Sequence, residues 1–324
     1  MTPAEPVWAE AVAALTAADE VALACHIGPD GDALGSLLAL ALGLRSLGKT
    51  VVASWSEPFR VPPQYAFLPG LDLLSPPSEF PAKPDLLVTF DTGSVDRLGT
   101  LASSCEAAGA VVVVDHHASN TAYGSVNVID PAAAASVVLV DELLRRLGVT
   151  VDADIAACLY TGLTTDTGSF KYQATTPGVH AFAGRLLATG IDHAAIAREV
   201  WDTNRFAYVK LLGILLERAE LDAERSLVWT WSTQADFATY GVGMEDIEGA
   251  IDVLRTTVEA EVAVILKEGP DGTYAVSMRA KGATDVGAIC VALGGGGHRY
   301  AAGFTSDADL RGTMDRLRAA LDAR

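Results

Sequence analysis

Eight aspartate and histidine side chains, six of them candidate metal ligands, stand at or just beyond the ends of apolar runs that read as buried strands. ACHIGPDGDALGS supplies His26, Asp30 and Asp32 directly after the run 21–25. LLVTF ends at Asp91, VVVV ends in Asp115-His116-His117, and Asp166 stands in GLTTDTGSF. Carboxylates and imidazoles gathered where strands run out are what a site for hard or borderline divalent cations needs. Taken singly these residues are ordinary: an aspartate after a strand, Asp32 included, is commonly a turn former or helix N-cap. A lone histidine there is more often a satisfied polar group. Repetition at one topological edge is what points to chemistry. HxxxDxD places three ligands in one tight loop, which Gly28, Gly31 and Gly35 allow to turn back on itself. His26, Asp30, Asp32, Asp91, His116 and Asp166 are the inventory for two cations sharing a bridging group, roughly 3.5–4 Å apart. Such a pair lowers the pKa of a bridging water and neutralises charge on phosphoryl oxygens, so the expected reaction is hydrolysis of a phosphate ester. Carboxylates suit hard cations and imidazoles draw the preference toward transition metals, which puts Mn²⁺ first and Mg²⁺ or Co²⁺ as substitutes. Asp91 and His117 are the catalytic candidates. His117 is expected to touch a phosphate oxygen or assist the leaving group, the alternative being a prop for His116. Asp115 is expected to orient an imidazole instead of binding metal directly.

A second cluster lies in GGGGHRYAAG at 294–303. Consecutive glycines expose backbone N–H groups and permit close approach of a phosphate or base. A bare glycine run would read as a flexible hairpin, but His298 and Arg299 follow at once and Arg279 leaves a nearby expected strand. Arg279, Gly295, Gly296, Gly297, His298 and Arg299 are therefore the expected substrate-binding residues. No Gly-Lys-Ser/Thr closes a Walker A loop, and GPDGDALGS has neither Rossmann spacing nor room for a pyrophosphate beside its acids.

The elements that must hold these residues alternate. A helix over 7–19, a strand at 21–25, a helix from Asp32 to Leu47 and a strand at 51–55 precede a Pro-rich loop at 58–84. Strands at 86–90 and 111–114 flank a short helix near 100–108, and helices follow at 135–147 and from Asp154 to Asp166. This order predicts a parallel α/β sheet with helices on both faces, whose ligands bind outside the carboxyl ends of its strands. Residues 177–218 read as helical with a bend at AREVWDTNRF. Beyond them, strands at 226–232, 262–268 and 273–280, helices at 244–257 and 285–293, and a closing amphipathic helix form a smaller α/β domain. The expected layout is a metal-binding domain over 1–185, a helical linker at 186–210 and a substrate-binding domain over 211–324, with the active site in the cleft between the domains.

Bulk properties limit the partners. The 324 residues suit two domains, and half of them are hydrophobic against a fifth charged, as in a soluble globular chain. With 23 basic against 41 acidic residues the net charge is −18, which disfavours long duplex nucleic acid and leaves any anionic substrate to metals and a few arginines. Short oligonucleotides fit better. MTPAEPVWAE has no basic region before an apolar core, and no apolar run reaches the roughly 18 residues a membrane span needs. A cytoplasmic location without membrane association is the expectation. Cys25, Cys105, Cys158 and Cys290 lie far apart and read as small buried hydrophobes in a reducing compartment.

In order, HIGPDGDALGS, VTFDTGSVDRLG, DHHASN and TDTGSF resemble the four motifs of the DHH phosphoesterase family. GGGGHRYAAGF resembles the glycine-rich signature of its associated C-terminal domain, so the likeness spans nearly the whole chain. In size and motif wording the chain is most similar to the nanoRNase/oligoribonuclease branch. That resemblance implies hydrolysis of very short RNA or of linear or cyclic dinucleotides to 5′-mononucleotides, and of 3′-phosphoadenosine 5′-phosphate to AMP. It implies that His26 and Asp30 hold one metal and that Asp32, His116 and Asp166 hold the other, with Asp91 bridging. It also implies that Arg279 and Gly295 to His298 bind phosphate or base, and that the chain forms a homodimer. A polyphosphatase or pyrophosphatase shares the metal site, and a non-hydrolysing nucleotide sensor is the reading outside enzymes.

Overall fold

The apolar runs become strands because both faces of the sheet they form are covered, which favours near-continuous hydrophobic strands over alternating ones. A computed structural model describes residues 3–323 and divides them into two units, one up to Thr203 and one from Asn204. The first begins with α1 (Glu5–Ala17), β1 (Glu20–Cys25), α2 (Gly31–Ser46), β2 (Thr50–Ser54), β3 (Leu86–Phe90), α3 (Ala102–Ala107) and β4 (Ala110–Asp115). It continues with β5 (Val126–Ile129), α4 (Ser136–Arg146), α5 (Ala153–Asp166), α6 (Pro177–Leu187) and α7 (His193–Trp201). The strand order is β2-β1-β3-β4-β5, all parallel. Leu23, Val88, Phe90, Val112 and Val114 face the core that α1, α2, α4 and α5 complete. The alternate residues Ala22, Ala24, Leu87, Val111 and Val113 pack on Leu98, Leu101 and Cys105 on the other side. All four cysteines are buried free thiols.

β5 has no counterpart among the strands expected from sequence, because VNVI is too short to establish a period. The expected linker at 186–210 is not a separate element. Leu186 and Ile196 belong to the first unit's core, while Tyr208 lies in a core of the second.

The second unit contains α8 (Phe206–Glu217), β6 (Glu220–Asp222), β7 (Leu227–Ser232), α9 (Gln234–Tyr240), α10 (Ala250–Leu254), β8 (Val262–Glu268) and β9 (Tyr274–Ala280). It closes with α11 (Val286–Ala292), β10 (Gly296–His298), β11 (Ala301–Ser306) and α12 (Leu310–Asp322). Its six-stranded sheet runs β10-β11-β9-β8-β7-β6, with only the β7–β8 pair parallel. The single helix expected at 244–257 is a 3₁₀ turn at Glu245–Ile247 followed by the short α10. The glycine-rich tract is a β-hairpin, β10 and β11, docked on β9. Among the described residues no helix is long and apolar enough to cross a membrane.

Two helices that carry site residues pack almost backbone to backbone. A Cβ on Gly35 of α2 would lie 2.5 Å from the carbonyl oxygen of Cys158 and 3.2 Å from the amide of Gly162, both on α5. Backbone cannot yield as a side-chain tip can. Gly35→Ala should therefore destabilise the protein by about 1–3 kcal/mol by forcing α2 and α5 apart. Thermal unfolding checks this: an unchanged melting temperature would mean that the two helices are not in that contact.

Candidate active site

Parallel strands end at one edge of the sheet, and the expected ligands collect there. β1, β3 and β4 deliver His26, Asp91 and Asp115-His116-His117 side by side. The first turn of α2 brings Asp32, and the last residue of α5 is Asp166. Asp91 lies at the centre. Its Oδ2 is 3.5 Å from His26 Nε2, and its Oδ1 is 3.5 Å from both His116 Nε2 and His117 Nδ1. Asp30 Oδ1 lies 3.9 Å from His26 Nε2. On the other side, His116 Nε2 is 3.1 Å from Asp166 Oδ2 and 3.8 Å from Asp32 Oδ2. Donor atoms of His26, Asp30 and Asp91 form one tight group, and those of Asp32, Asp91 and His116 another.

The backbone has to bend to achieve this. Asp91 sits at φ 53°, in the left-handed region that few residues other than glycine and Asn/Asp occupy. Such a conformation costs of order 1–3 kcal/mol and persists where the surroundings determine it. Here the Asp91 amide donates to Val114 O at 3.1 Å, and Thr92 Oγ1 donates to Phe90 O at 2.8 Å.

The helix start expected at Asp32 falls one residue earlier, and Asp30 is the N-cap, its Oδ1 accepting the amides of Asp32 and Ala33, each at 3.0 Å. Asp32 is consequently turned inward and fully buried. Its two oxygens accept the amides of Ser136 (2.6 Å) and Val137 (3.0 Å) at the start of α4. The N-cap residue of α4, Ala135, supplies no side-chain cap, so Asp32 caps that helix from a distance. Ser136 Oγ then donates to Asp91 Oδ1 at 3.1 Å. The sequence gives little sign of Ser136, one serine at the end of an alanine run. Gly162 completes the fit: a Cβ there would lie 3.0 Å from Asp32 Oδ1 and 2.5 Å from Val137 Cγ1.

Each imidazole is oriented through its second nitrogen. His26 Nδ1 meets Ile27 O at 2.9 Å and His116 Nδ1 meets Ala133 O at 3.2 Å, which turns both Nε2 atoms toward the carboxylates. His117 Nδ1 is 2.7 Å from Asp115 Oδ1, so the imidazole that Asp115 orients is that of His117. Asn120, in DHHASN but not singled out from sequence, donates to Asp115 Oδ2 and, at 3.1 Å, to Thr92 O.

The electrostatics follow from this packing. Burial disfavours a charged imidazole, yet the surrounding carboxylates outweigh it and raise the pKa of His26, His116 and His117. Burial likewise opposes ionisation of Asp91, but the three imidazoles hold it well below the usual carboxylate range. Asp32 is pushed up by burial and then by the charges of Asp91 and Asp166. Protons on the imidazoles thus balance the carboxylates. Divalent cations would provide that positive charge instead, and the mixed oxygen and nitrogen donors, already aimed at one another, fit them.

In the second unit, the register aligns His298, Ala301 and Arg279 in one row across β10, β11 and β9. The side chains of His298 and Arg279 therefore leave the same face, about 10 Å apart. Arg279 Nη1 donates to Met278 O at 3.1 Å, and the Arg299 guanidinium is 5.6 Å from the Tyr300 ring centroid. A Cβ on Gly295 would lie 2.1 Å from Gly303 O, and one on Gly297 2.6 Å from Ala302 Cα. The hairpin itself requires these two glycines.

Comparison with known proteins matches residues 20–163 to the DHH family, N-terminal domain, and residues 233–324 to the DHHA1 domain. Over 287 residues the chain is 34% identical to the bifunctional oligoribonuclease and PAP phosphatase NrnA of Thermus thermophilus, covering 87% of this chain and 83% of that protein. It is 23% identical to the Bacillus subtilis protein of the same name, covering 91% of each. An exopolyphosphatase-related protein from Bacteroides fragilis shares the fold, with a TM-score of 0.89 at 22% identity over 99% of this chain and 96% of that one.

Two outcomes follow from the geometry. Mn²⁺ should raise the melting temperature of the wild-type protein and EDTA should reverse it, and Asp91→Ala should lose most of that shift. A full metal-dependent shift in Asp91→Ala would refute the central place given to this carboxylate. Ser136→Ala, which leaves the fold but frees Asp91 Oδ1, should weaken metal affinity about 10-fold, read by metal titration.

Proposed function

The chain belongs to the DHH family and is a phosphoric ester hydrolase, and we propose that its substrates are short oligoribonucleotides and dinucleotides, cleaved to 5′-mononucleotides. One observation carries the metal site: each oxygen of Asp91 faces a different set of donors. His26 and Asp30 would hold one divalent cation and Asp32, His116 and Asp166 the other, with Asp91 shared between them. Bound there, two such cations activate water and neutralise charge on the phosphoryl group. Mn²⁺ is the first candidate, with Mg²⁺ or Co²⁺ as substitutes.

The protein's own groups carry the remaining tasks. Asp115 fixes the His117 ring through Nδ1, so His117 exchanges its proton at Nε2 and supplies it to the leaving oxygen. Arg279, Gly295, Gly296, Gly297, His298 and Arg299 take the substrate's phosphate or base. The relatives named as oligoribonuclease and PAP phosphatase support linear dinucleotides and 3′-phosphoadenosine 5′-phosphate as substrates, and cyclic dinucleotides share the same scissile bond. The acidic balance of the chain favours these small anions over long nucleic acid.

Product analysis with Mn²⁺ tests this against linear diadenylate (pApA), cyclic di-AMP, 3′-phosphoadenosine 5′-phosphate and polyphosphate. AMP should form from pApA with wild-type protein and be absent with Asp91→Ala. Phosphate released from polyphosphate alone would overturn the nucleotide reading, and stable nucleotide binding without turnover would make the chain a sensor.

A further inference from the structure

The loop 281–285 connects β9, which carries Arg279, to α11. Its amides converge on one atom. Gly282, Ala283 and Thr284 donate their backbone N–H groups to Glu261 Oε1 at 3.0, 2.7 and 3.0 Å. Lys281 N also donates to the Glu261 carbonyl at 3.0 Å, and its Nζ donates to Thr257 O. Three successive amides aimed at one oxygen form an anion-binding concavity, and here a carboxylate of the same unit fills it. Charge on the acceptor strengthens each of the three bonds.

The elements that this loop joins carry or touch Arg279 and the Gly297–Tyr300 end of the hairpin. Arg279 lies two residues before it on β9. Immediately after it, the Val286 amide donates to Arg299 O at 2.9 Å. Gly287 lies so close to the hairpin that a Cβ would be 2.8 Å from His298 O and 3.2 Å from Gly297 O. The Ala280 amide, on the other side, donates to Tyr300 O at 3.0 Å. Asp285 caps α11 by accepting the Ala288 amide at 2.9 Å. A displacement of 281–285 would thus move Arg279, His298 and Arg299 together.

Left to itself, such a loop would be loose. It has no regular structure, Gly282 is at φ 154°, and Lys281 and Ala283 are exposed. Loops of this kind are drawn from the low-stability end of a fold. Glu261, by contrast, stands directly before β8 and is held by its own amide, which donates to Ser226 O at 2.7 Å. The carboxylate therefore ties an irregular connection to the middle of the sheet.

We propose that Glu261 is a positioning residue for substrate binding: through the amides of 282–284 it holds the Arg279 and His298-Arg299 elements in the arrangement that receives the substrate. This rests on the reading of those residues as the substrate-binding set. Binding a phosphate by several groups at once demands that they be placed beforehand, since each group left to order on binding weakens affinity. The role depends on the place of the acceptor oxygen more than on its charge, which makes it separable from simple electrostatics.

The test is steady-state kinetics on pApA with Glu261→Ala, Glu261→Gln and Glu261→Asp in the full chain, beside Arg279→Ala, with amide hydrogen exchange followed at 282–284. Glu261→Ala should raise KM about tenfold with kcat within about twofold, and exchange at 282–284 should accelerate. Glu261→Gln keeps the oxygen and should have nearly wild-type KM. Glu261→Asp keeps the charge but draws the oxygen back by about 1.5 Å, and should resemble the alanine variant. Faster exchange with an unchanged KM would overturn the proposal, as would a glutamine variant more impaired than the aspartate one. The Gln and Asp pair decides the matter even where the alanine variant fails to fold. If Arg279→Ala raises KM and the Glu261 variants do not, only the role of Glu261 is wrong. If Arg279→Ala leaves KM unchanged, the assignment of substrate to these residues fails, and the proposal falls with it.

Discussion

Burying several carboxylates at one point is the constraint on which the first unit is built. Asp32 and Asp115 are fully buried and Asp91 is nearly so, and an unpaired buried charge would unfold a protein of ordinary stability. Each is answered differently. Asp32 is met by two amides of a helix N-terminus, Asp115 by a ring nitrogen and the Asn120 amide, and Asp91 by three imidazoles and the Ser136 hydroxyl. These partners are of two kinds. Amides and hydroxyls stay in place whatever binds. Imidazoles can give up their protons to become ligands, so the part of the charge balance that is exchangeable is concentrated around Asp91.

The backbone architecture serves that arrangement. A parallel sheet sends β1, β3 and β4 to a common edge, which brings their terminal residues together without long loops. Helices then have to approach the same edge closely. α2 and α5 do so because Gly35 and Gly162 remove the side chains that would separate them. α4 does so because its first turn lacks a cap of its own and takes Asp32 in its place. The same carboxylate contributes to helix stability and to the site, so the two cannot be varied independently.

The α/β alternation, the strand ends and the residues gathered there were legible because buried parallel strands leave long apolar runs and because the polar residues ending them stand out. The partners of those residues were not. Ser136 acts through contacts with Asp32 and Asp91, far away in the sequence, and no local pattern marks it; Asn120 stands in DHHASN, five residues from Asp115, but nothing in that segment names its partner. The helix that starts at Gly31 instead of Asp32, with its cap at Asp30, is a shift of one residue, which periodicity does not resolve. β5 and the hairpin strands escaped for other reasons: four residues are too few to establish a period, and a run of glycines carries too little β-propensity to announce a strand that only its neighbours stabilise.

The glycine tract shows why composition alone is a weak guide to binding. Gly294 and Gly297 have positive φ, and Gly295 and Gly297 pack where any side chain would strike backbone of the neighbouring strand, so the fold accounts for all three. Gly296 differs: its φ is not positive, and a Cβ there would meet nothing within 4 Å. The hairpin makes no demand for glycine at that position. Its bare backbone is therefore the part of the tract that a demand other than folding, such as close approach by a phosphate or a base, accounts for best. Arg279 and His298 leave the same face of this sheet, and the row that joins them is set by strand register. Whatever meets that face is gripped by groups whose spacing the sheet has already fixed.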